Sequence, residues 1–134
     1  MFENIVMKKL LILLSISLLI LISCGGEKNP INSYYKNIPM IQGMTRDEKP
    51  KVYNVKVDLG YEYQNKKIQT ELNKRKIQLT DLIRTQLSAL KEENFMIENQ
   101  TELKELIREE INKILIEGEI IDVYFIQLQV FEYN

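Results

Sequence analysis

The stretch that decides the fold is residues 103–125, LKELIREEINKILIEGEIIDVYF. Its first half places apolar residues three and four positions apart, which is the pattern of an amphipathic helix, and its last six residues favour a strand. Asn99 and Glu102 have the spacing of a capping box, so the helix is predicted to begin there. Gly118 stands where a C-cap glycine with positive φ would end the helix. We therefore predict a helix, a glycine turn and a strand in this order.

The predicted strand, Ile120 to Tyr133, changes its alternation partway along. Odd positions are apolar up to Phe125, whereas Ile126 and Leu128 begin a run in which the even positions are apolar. Either a β-bulge near Ile126 exchanges the two faces, or both faces are covered in turn. In the second case we expect a neighbouring subunit to cover Ile126 and Leu128.

Two further elements precede this stretch. Residues 52–63 alternate apolar and polar side chains, which is typical of a half-buried strand. Residues 66–91 repeat leucine and isoleucine on one arc of a helical wheel and predict a single helix of about 25 residues, with only Ile77 on the opposite side. The basic residues on its other face are more often a solvated surface than a binding site: Lys66, Lys67, Lys74, Lys76 and Arg84.

The order β-α-α-β predicts the fold class. A strand, two helices and a strand over residues 52–134 indicate a single small α+β domain, in which a long helix hairpin packs on a small sheet. A folded part of about 83 residues buries only about 60 to 65 per cent of its unfolded surface, so self-assembly is an expected source of added stability.

An apolar run of leucine and isoleucine, broken only by two serines, occupies residues 10–22, and Lys8 and Lys9 precede it. Positive charge before a short apolar core predicts a signal peptide over residues 1–23, because about 14 residues are too few for a comfortable transmembrane helix. Met7, directly before the two lysines, is an alternative start to Met1.

The run ends in LISCG, residues 21–25, which resembles the lipobox of bacterial lipoproteins. The resemblance implies that a diacylglycerol is attached to Cys24 and that the chain is then cut before this residue. Two or three acyl chains anchor a protein stably, since each buried methylene contributes about 0.8 kcal/mol. The alternative is an uncleaved signal anchor that ends in an incidental cysteine. We expect a membrane-anchored lipoprotein that faces the periplasm, on either the inner or the outer membrane.

Residues 24–51 are predicted to form the lipidated N-terminus and a flexible tether. They contain all three prolines and show no sustained periodicity. Five of their large apolar side chains are expected to dock on the domain or to contact a partner: Tyr34, Tyr35, Ile38, Met40 and Ile41.

Composition excludes several classes of function. Eighteen basic and 19 acidic residues nearly cancel, which gives no reason to propose a nucleic acid partner. There is no histidine and a single cysteine, so most catalytic triads, His-ligated zinc sites and an intramolecular disulfide are excluded. The carboxylate pairs Glu92-Glu93 and Glu109-Glu110 are adjacent in sequence and therefore point apart on a helix. We predict no enzymatic activity, no cofactor and no metal.

Residues 103–125 also resemble the C-terminal signature of the FliL family of flagellar basal body-associated proteins. That signature is a helix ending in Glu-x-x-Asn-x-x-Leu, a glycine, Val-x-x-Val-Tyr-Phe and a hydrophobic strand. Its positions are occupied here by Glu109, Asn112, Leu115, Gly118, Ile120 in place of valine, Val123, Tyr124 and Phe125. The order of elements from residue 52 to residue 130 is also similar. The short strand that usually precedes the domain has no clear counterpart in residues 38–44.

The resemblance implies a domain of the stomatin/prohibitin type that forms homo-oligomeric rings around the stator units of the flagellar motor. It implies a structural or regulatory role towards stator or basal body proteins and no catalytic site. A typical member keeps an uncleaved membrane helix, whereas residues 21–24 predict a lipid anchor, so we expect a FliL-like lipoprotein. The alternative is a surface or periplasmic lipoprotein of similar fold that binds envelope components or host ligands.

Overall fold

The computed structural model describes residues 3–12 and 32–134. Residues 3–12 are helical, and they belong to a different compact unit from residues 31–134. Cys24 and the predicted cleavage site lie outside the described residues. In the described part of the chain, no helix combines the length and the apolar character that crossing a membrane requires.

Residues 32–134 form four strands, three α-helices and two short 3-10 helices. In chain order these are β1 (Ser33–Tyr35), β2 (Ile41–Met44), β3 (Lys51–Tyr61), α1 (Lys66–Lys74), α2 (Lys76–Ser88), the 3-10 helices Glu92–Phe95 and Ile97–Asn99, α3 (Gln100–Asn112) and β4 (Ile120–Glu132). Every strand pair is antiparallel, with β3 at the centre, β4 along one side of it, and β1 and β2 along the other. The predicted single small α+β domain is confirmed.

One face of the sheet packs against the helices and forms the core. Every second residue of β3, from Tyr53 to Tyr61, is at most 4% exposed, as the sequence alternation predicts. Apolar side chains of α1, α2 and α3 cover this face: Ile68, Leu72, Leu79, Ile83, Leu87, Leu103, Ile107 and Ile111. Burying each such side chain contributes about 1.5–3 kcal/mol relative to leaving it in water, so this layer stabilises the domain most.

The predicted single helix over residues 66–91 is two helices. Arg75, with φ −93° and ψ 9°, leaves α-helical geometry between α1 and α2. Its guanidinium donates to the side chains of Glu71 and Gln78, one on each side of the break. Ile77 is exposed, as predicted.

The predicted tether is wrong from residue 33 onwards. β1 pairs with residues 59–61 of β3 and β2 with residues 52–55. Three of the five apolar side chains that were expected to dock on the domain lie in its core: Tyr35, Ile38 and Ile41. The other two, Tyr34 and Met40, are exposed. β2 lies within residues 38–44, where the sequence shows no clear counterpart of the short strand that usually precedes the domain.

The β-bulge predicted near Ile126 is confirmed. Lys56 pairs with Gln127 and Val57 with Phe125, so Ile126 is an extra residue between two regular pairs. The bulge returns Leu128 to the face that packs on the core, and Leu128 therefore needs no neighbouring subunit to cover it.

Two predicted helix caps are corrected. Asn99 precedes α3, but its amide donates to the backbone oxygen of Glu93 at 2.8 Å and accepts no bond from the helix. α3 ends at Asn112, six residues before Gly118, so Gly118 is not its C-cap. The predicted positive φ of Gly118 is confirmed at 152°, in the turn that leads into β4.

Candidate functional site

Asn112 joins the end of α3 to the start of β4. Its side-chain oxygen accepts from the backbone N–H of Ile120 at 2.8 Å, and its amide donates to the backbone oxygen of Ile120 at 3.0 Å. The side chain thus satisfies both backbone groups of Ile120 in the way a neighbouring strand would. Asn112, a residue of the C-terminal signature, therefore fixes the start of β4 relative to the end of α3.

Gly118 lies against α1 in the connection between α3 and β4. A Cβ at this position would come within 3.3 Å of the Cδ1 atom of Ile68 and 3.8 Å of the Nδ2 atom of Asn65. Its φ of 152° is also in the region that favours glycine. Both the backbone conformation and the close approach to α1 therefore require glycine here.

Glu71 holds the same connection from the side of α1. Its carboxylate accepts from the backbone N–H groups of Ile116 and Glu117, each at 2.9 Å, and from Arg75 Nε at 2.9 Å. Burial alone would raise the pKa of Glu71, but the hydrogen bonds from Glu117, Ile116 and Arg75 together outweigh it and lower the pKa below its ordinary value. Sequence reasoning missed Glu71, although its spacing of four residues from Arg75 was a signal for an ion pair on a helix.

Tyr124 is the centre of a polar aromatic cluster on the face of the sheet opposite the one that packs against the helices. Its ring lies over Gly60, 3.4 Å from the position of a Cβ there, and meets the ring of Tyr34 edge-on at 5.1 Å between centroids. Lys104 Nζ is 5.8 Å from the ring centroid. Hydrogen bonding with Tyr34 and Asp122 raises the pKa of Tyr124 to about 12.

The remaining signature residues have unequal environments. Val123 is fully buried, and Phe125 packs against the core from β4. Glu109 is exposed on α3. The structure therefore brings Asn112 and Gly118 together at one turn, and directs Val123 and Phe125 into the core.

The outer edge of β4 is unpaired among the described strands, because β4 pairs with β3 alone. Three apolar residues of this strand are exposed: Ile121 (51%), Ile126 (62%) and Phe131 (44%). Ile121 and Ile126 are both extra residues at register shifts against β3. We call these three residues the β4 edge surface. A long strand edge with exposed apolar side chains is a common site of association with another chain.

The acidic side chains of the described residues are dispersed, apart from Glu71 at the connection between α3 and β4. Within residues 3–12 and 32–134, no three acidic, cysteine or histidine side chains come together as a metal site. The buried carboxylate of Glu71 is already occupied by its three donors. This arrangement can bind other molecules through side-chain contacts and through the free strand edge.

Comparison of the sequence with known proteins gives the family of this chain. The family model described as flagellar basal body-associated protein FliL matches residues 35–130, which include all the signature positions. The chain is 36% identical to a protein named Flagellar protein FliL from Borreliella burgdorferi and 30% identical to a protein of the same name from Treponema pallidum, in each case over 105 residues. Each alignment covers 78% of this chain and 58% of the relative, so the chain spans less than two thirds of the length of these relatives. On the extent of the family match and these identities, the chain belongs to the FliL family of flagellar basal body-associated proteins.

Proposed function

We propose that this protein is a non-enzymatic, lipid-anchored accessory protein of the flagellar motor, which supports or regulates stator function by ring-like self-assembly. Membership of the FliL family supports the association with the basal body. The lipid anchor, the self-assembly and the contact with the stator are our proposals for this chain.

The observation that carries the self-assembly is the β4 edge surface. Thirteen residues of β4 have no partner strand on their outer side among the described residues, and three exposed apolar side chains lie on this strand. The two bulges interrupt regular strand pairing at Ile121 and Ile126, so the contact is expected to combine side-chain packing with pairing along residues 127–132. Covering this surface by a second copy would remove apolar area from water and stabilise the folded chain.

The lipid anchor is proposed from the sequence of residues 21–25. Replacing Cys24 with alanine removes the single thiol of the chain, so neither acyl attachment nor cleavage before residue 24 is expected in that variant. The variant should keep its leader and migrate as the longer chain, whereas the parent chain migrates as the shorter, acylated form. Equal mobility and equal membrane extraction of the two chains would contradict the anchor.

The assembly is tested by motility in cells that lack the native gene. Ile126→Lys combined with Phe131→Lys adds charge to the β4 edge surface, at side chains that are already exposed, so the fold is expected to be retained. Swimming should remain impaired with this double variant and should be restored by the parent chain. Ile77→Lys is the control for a charge added at an exposed isoleucine, since Ile77 is exposed on α2 and lies outside this surface.

Two results bear on the choice between the two candidate functions. Full motility with the double variant would remove the β4 edge surface from the proposal. Cleavage of the protein by protease added to intact cells would favour the alternative of a surface lipoprotein that binds envelope components or host ligands.

A further inference from the structure

A basic groove lies between α1 and the connection from α3 to β4. Its volume is about 580 Å³, and four basic side chains of α1 and the adjoining residue line it: Lys66, Lys67, Lys74 and Arg75. We call this the lysine groove. None of its three lysines joins an ion pair among the described residues. The groove therefore presents uncompensated positive charge.

The acidic side chains of the lysine groove do not cancel this charge. Glu71 is paired with Arg75 and with backbone N–H groups of the connection. Its negative charge is therefore compensated by these donors and does not neutralise the lysines. Glu117 is the other carboxylate among the lining residues and is exposed. Three lysines thus remain against one carboxylate, which favours an anionic ligand.

An exposed isoleucine stands among these lysines. Ile116 lines the groove and is 79% exposed, and the bonds from its backbone N–H to Glu71 hold it in place. Exposing an isoleucine to water is unfavourable. Apolar side chains surrounded by lysine are typical of surfaces that lie in the headgroup region of a membrane.

The chain enters the domain next to this groove. The backbone N–H of Gln64 donates to Ser33 Oγ at 3.1 Å, and α1 begins two residues after Gln64. Nine peptide steps separate residue 24 from residue 33, and such a length reaches at most about 30 Å. An attachment that leaves the membrane at residue 24 therefore keeps Ser33, and with it Lys66 and Lys67 at the start of α1, within about 30 Å of the membrane surface.

We propose that the lysine groove docks on the anionic phosphate headgroups of the membrane that holds the anchor, with Ile116 in the headgroup region. Lysine charges close to an anionic leaflet are attracted to it, and the attraction is lost with distance over a Debye length. The inference rests on the proposed membrane attachment, and it is independent of the motor partner and of the chemistry at Cys24. It gives the domain a fixed orientation on the membrane.

The test uses the full chain in vesicles, with a fluorescent probe on Ile116→Cys and a spin-labelled lipid as quencher. We expect quenching to be about threefold stronger in vesicles with 30 per cent anionic lipid than in zwitterionic vesicles. The difference should disappear near 1 M salt, where the Debye length falls to about 3 Å. A probe on Ile97→Cys, at an exposed position outside the lysine groove, should show no difference between the vesicles. If the unchanged chain is labelled at Cys24, the probes are placed in the Cys24→Ala background, in which position 116 or 97 carries the single thiol.

A charge-reversed variant tests whether the lysines of the groove cause the preference for anionic vesicles. The triple variant Lys66→Glu, Lys67→Glu and Lys74→Glu should lose the preference of the Ile116 probe for anionic vesicles. The control is an equal charge change at three exposed lysines outside the groove, Lys36→Glu, Lys49→Glu and Lys91→Glu, which should retain it.

Two results would overturn the proposal. One is quenching of the Ile116 probe that is equal in both kinds of vesicle, or unchanged in the groove variant. The other is shielding of the probe that appears only at high protein density and without anionic lipid, because it would assign the groove to a protein partner such as a second copy.

Discussion

Replacing Glu71 with glutamine keeps the shape of the side chain and removes its charge. In the folded domain both carboxylate oxygens accept from Ile116, Glu117 or Arg75, and the residue is 8% exposed. In the variant, one oxygen becomes an NH₂ group that faces these donors. Hydrogen bonds to a charged group contribute about 1.5–3 kcal/mol each. The amide oxygen of the variant still accepts hydrogen bonds on one side, so only part of this stabilisation is lost. We therefore expect a loss of about 2–4 kcal/mol in the free energy of unfolding.

Urea denaturation of the full-length protein, followed by circular dichroism, measures this loss. Small proteins have slopes of about 1–3 kcal/mol per molar urea, so with a slope of about 2 kcal/mol per molar the midpoint should fall by about 1–2 M, and the slope itself should not change. Glu98→Gln is the matched control, because Glu98 is exposed in a 3-10 helix. An exposed substitution of this kind is expected to change stability by less than about 0.5 kcal/mol.

The pH dependence gives a second, independent readout of the same variant. The pKa of Glu71 is lowered in the folded state from its ordinary value of 4.5. A lowered pKa contributes stability that is present above pH 4.5 and is lost as the pH falls through the folded-state pKa. The difference between the parent chain and Glu71→Gln should therefore be largest near neutral pH and shrink below pH 4.5. Equal midpoints at neutral pH, or a difference that does not depend on pH, would show that the charge of Glu71 does not stabilise the connection between α3 and β4.

Three further changes test the turn and the sheet. Gly118→Val should destabilise the domain by about 1 kcal/mol or more, because it adds a Cβ 3.3 Å from Ile68 to a residue with positive φ; an unchanged urea midpoint would contradict this. Asn112→Ala removes both bonds to Ile120 and should cost about 1–3 kcal/mol in the same assay, so a neutral result would show that Ile120 is satisfied in another way. Tyr124→Phe should remove the late phase of the alkaline absorbance titration, since its pKa of about 12 lies above the ordinary value of 10; a late phase that persists unchanged would assign the raised pKa to another tyrosine.

Much of the fold follows from local patterns in the sequence. The alternation along β3 identifies its buried face because the side chains of a strand point alternately to two faces. The bulge at Ile126 is predictable because the apolar residues change parity within an otherwise continuous strand. The positive φ of Gly118 is predictable because a glycine between a helix and a strand marks a turn, although this turn lies six residues after the end of α3 and is not its C-cap.

Other features depend on contacts distant in the sequence, and local patterns do not show them. β1 and β2 contain three and four residues, too few for a periodicity, and pairing with β3 makes them strands. The apolar spacing continues across Arg75, so nothing in it marks the end of α1. Glu71 has its decisive partners 45 and 46 residues away, at backbone groups that have no sequence signal.

Photo-cross-linking in cells, from a probe at the position of Ile126, tests most directly whether the β4 edge surface joins this chain to its neighbours at the motor. We expect adducts with further copies of the chain, and with flagellar motor proteins, from this position. A probe at the position of Ile77 should give few of them, since that side chain is exposed but lies on α2. Absence of adducts at position 126, or the same adducts from both positions, would show that the β4 edge surface does not join the chain to its neighbours.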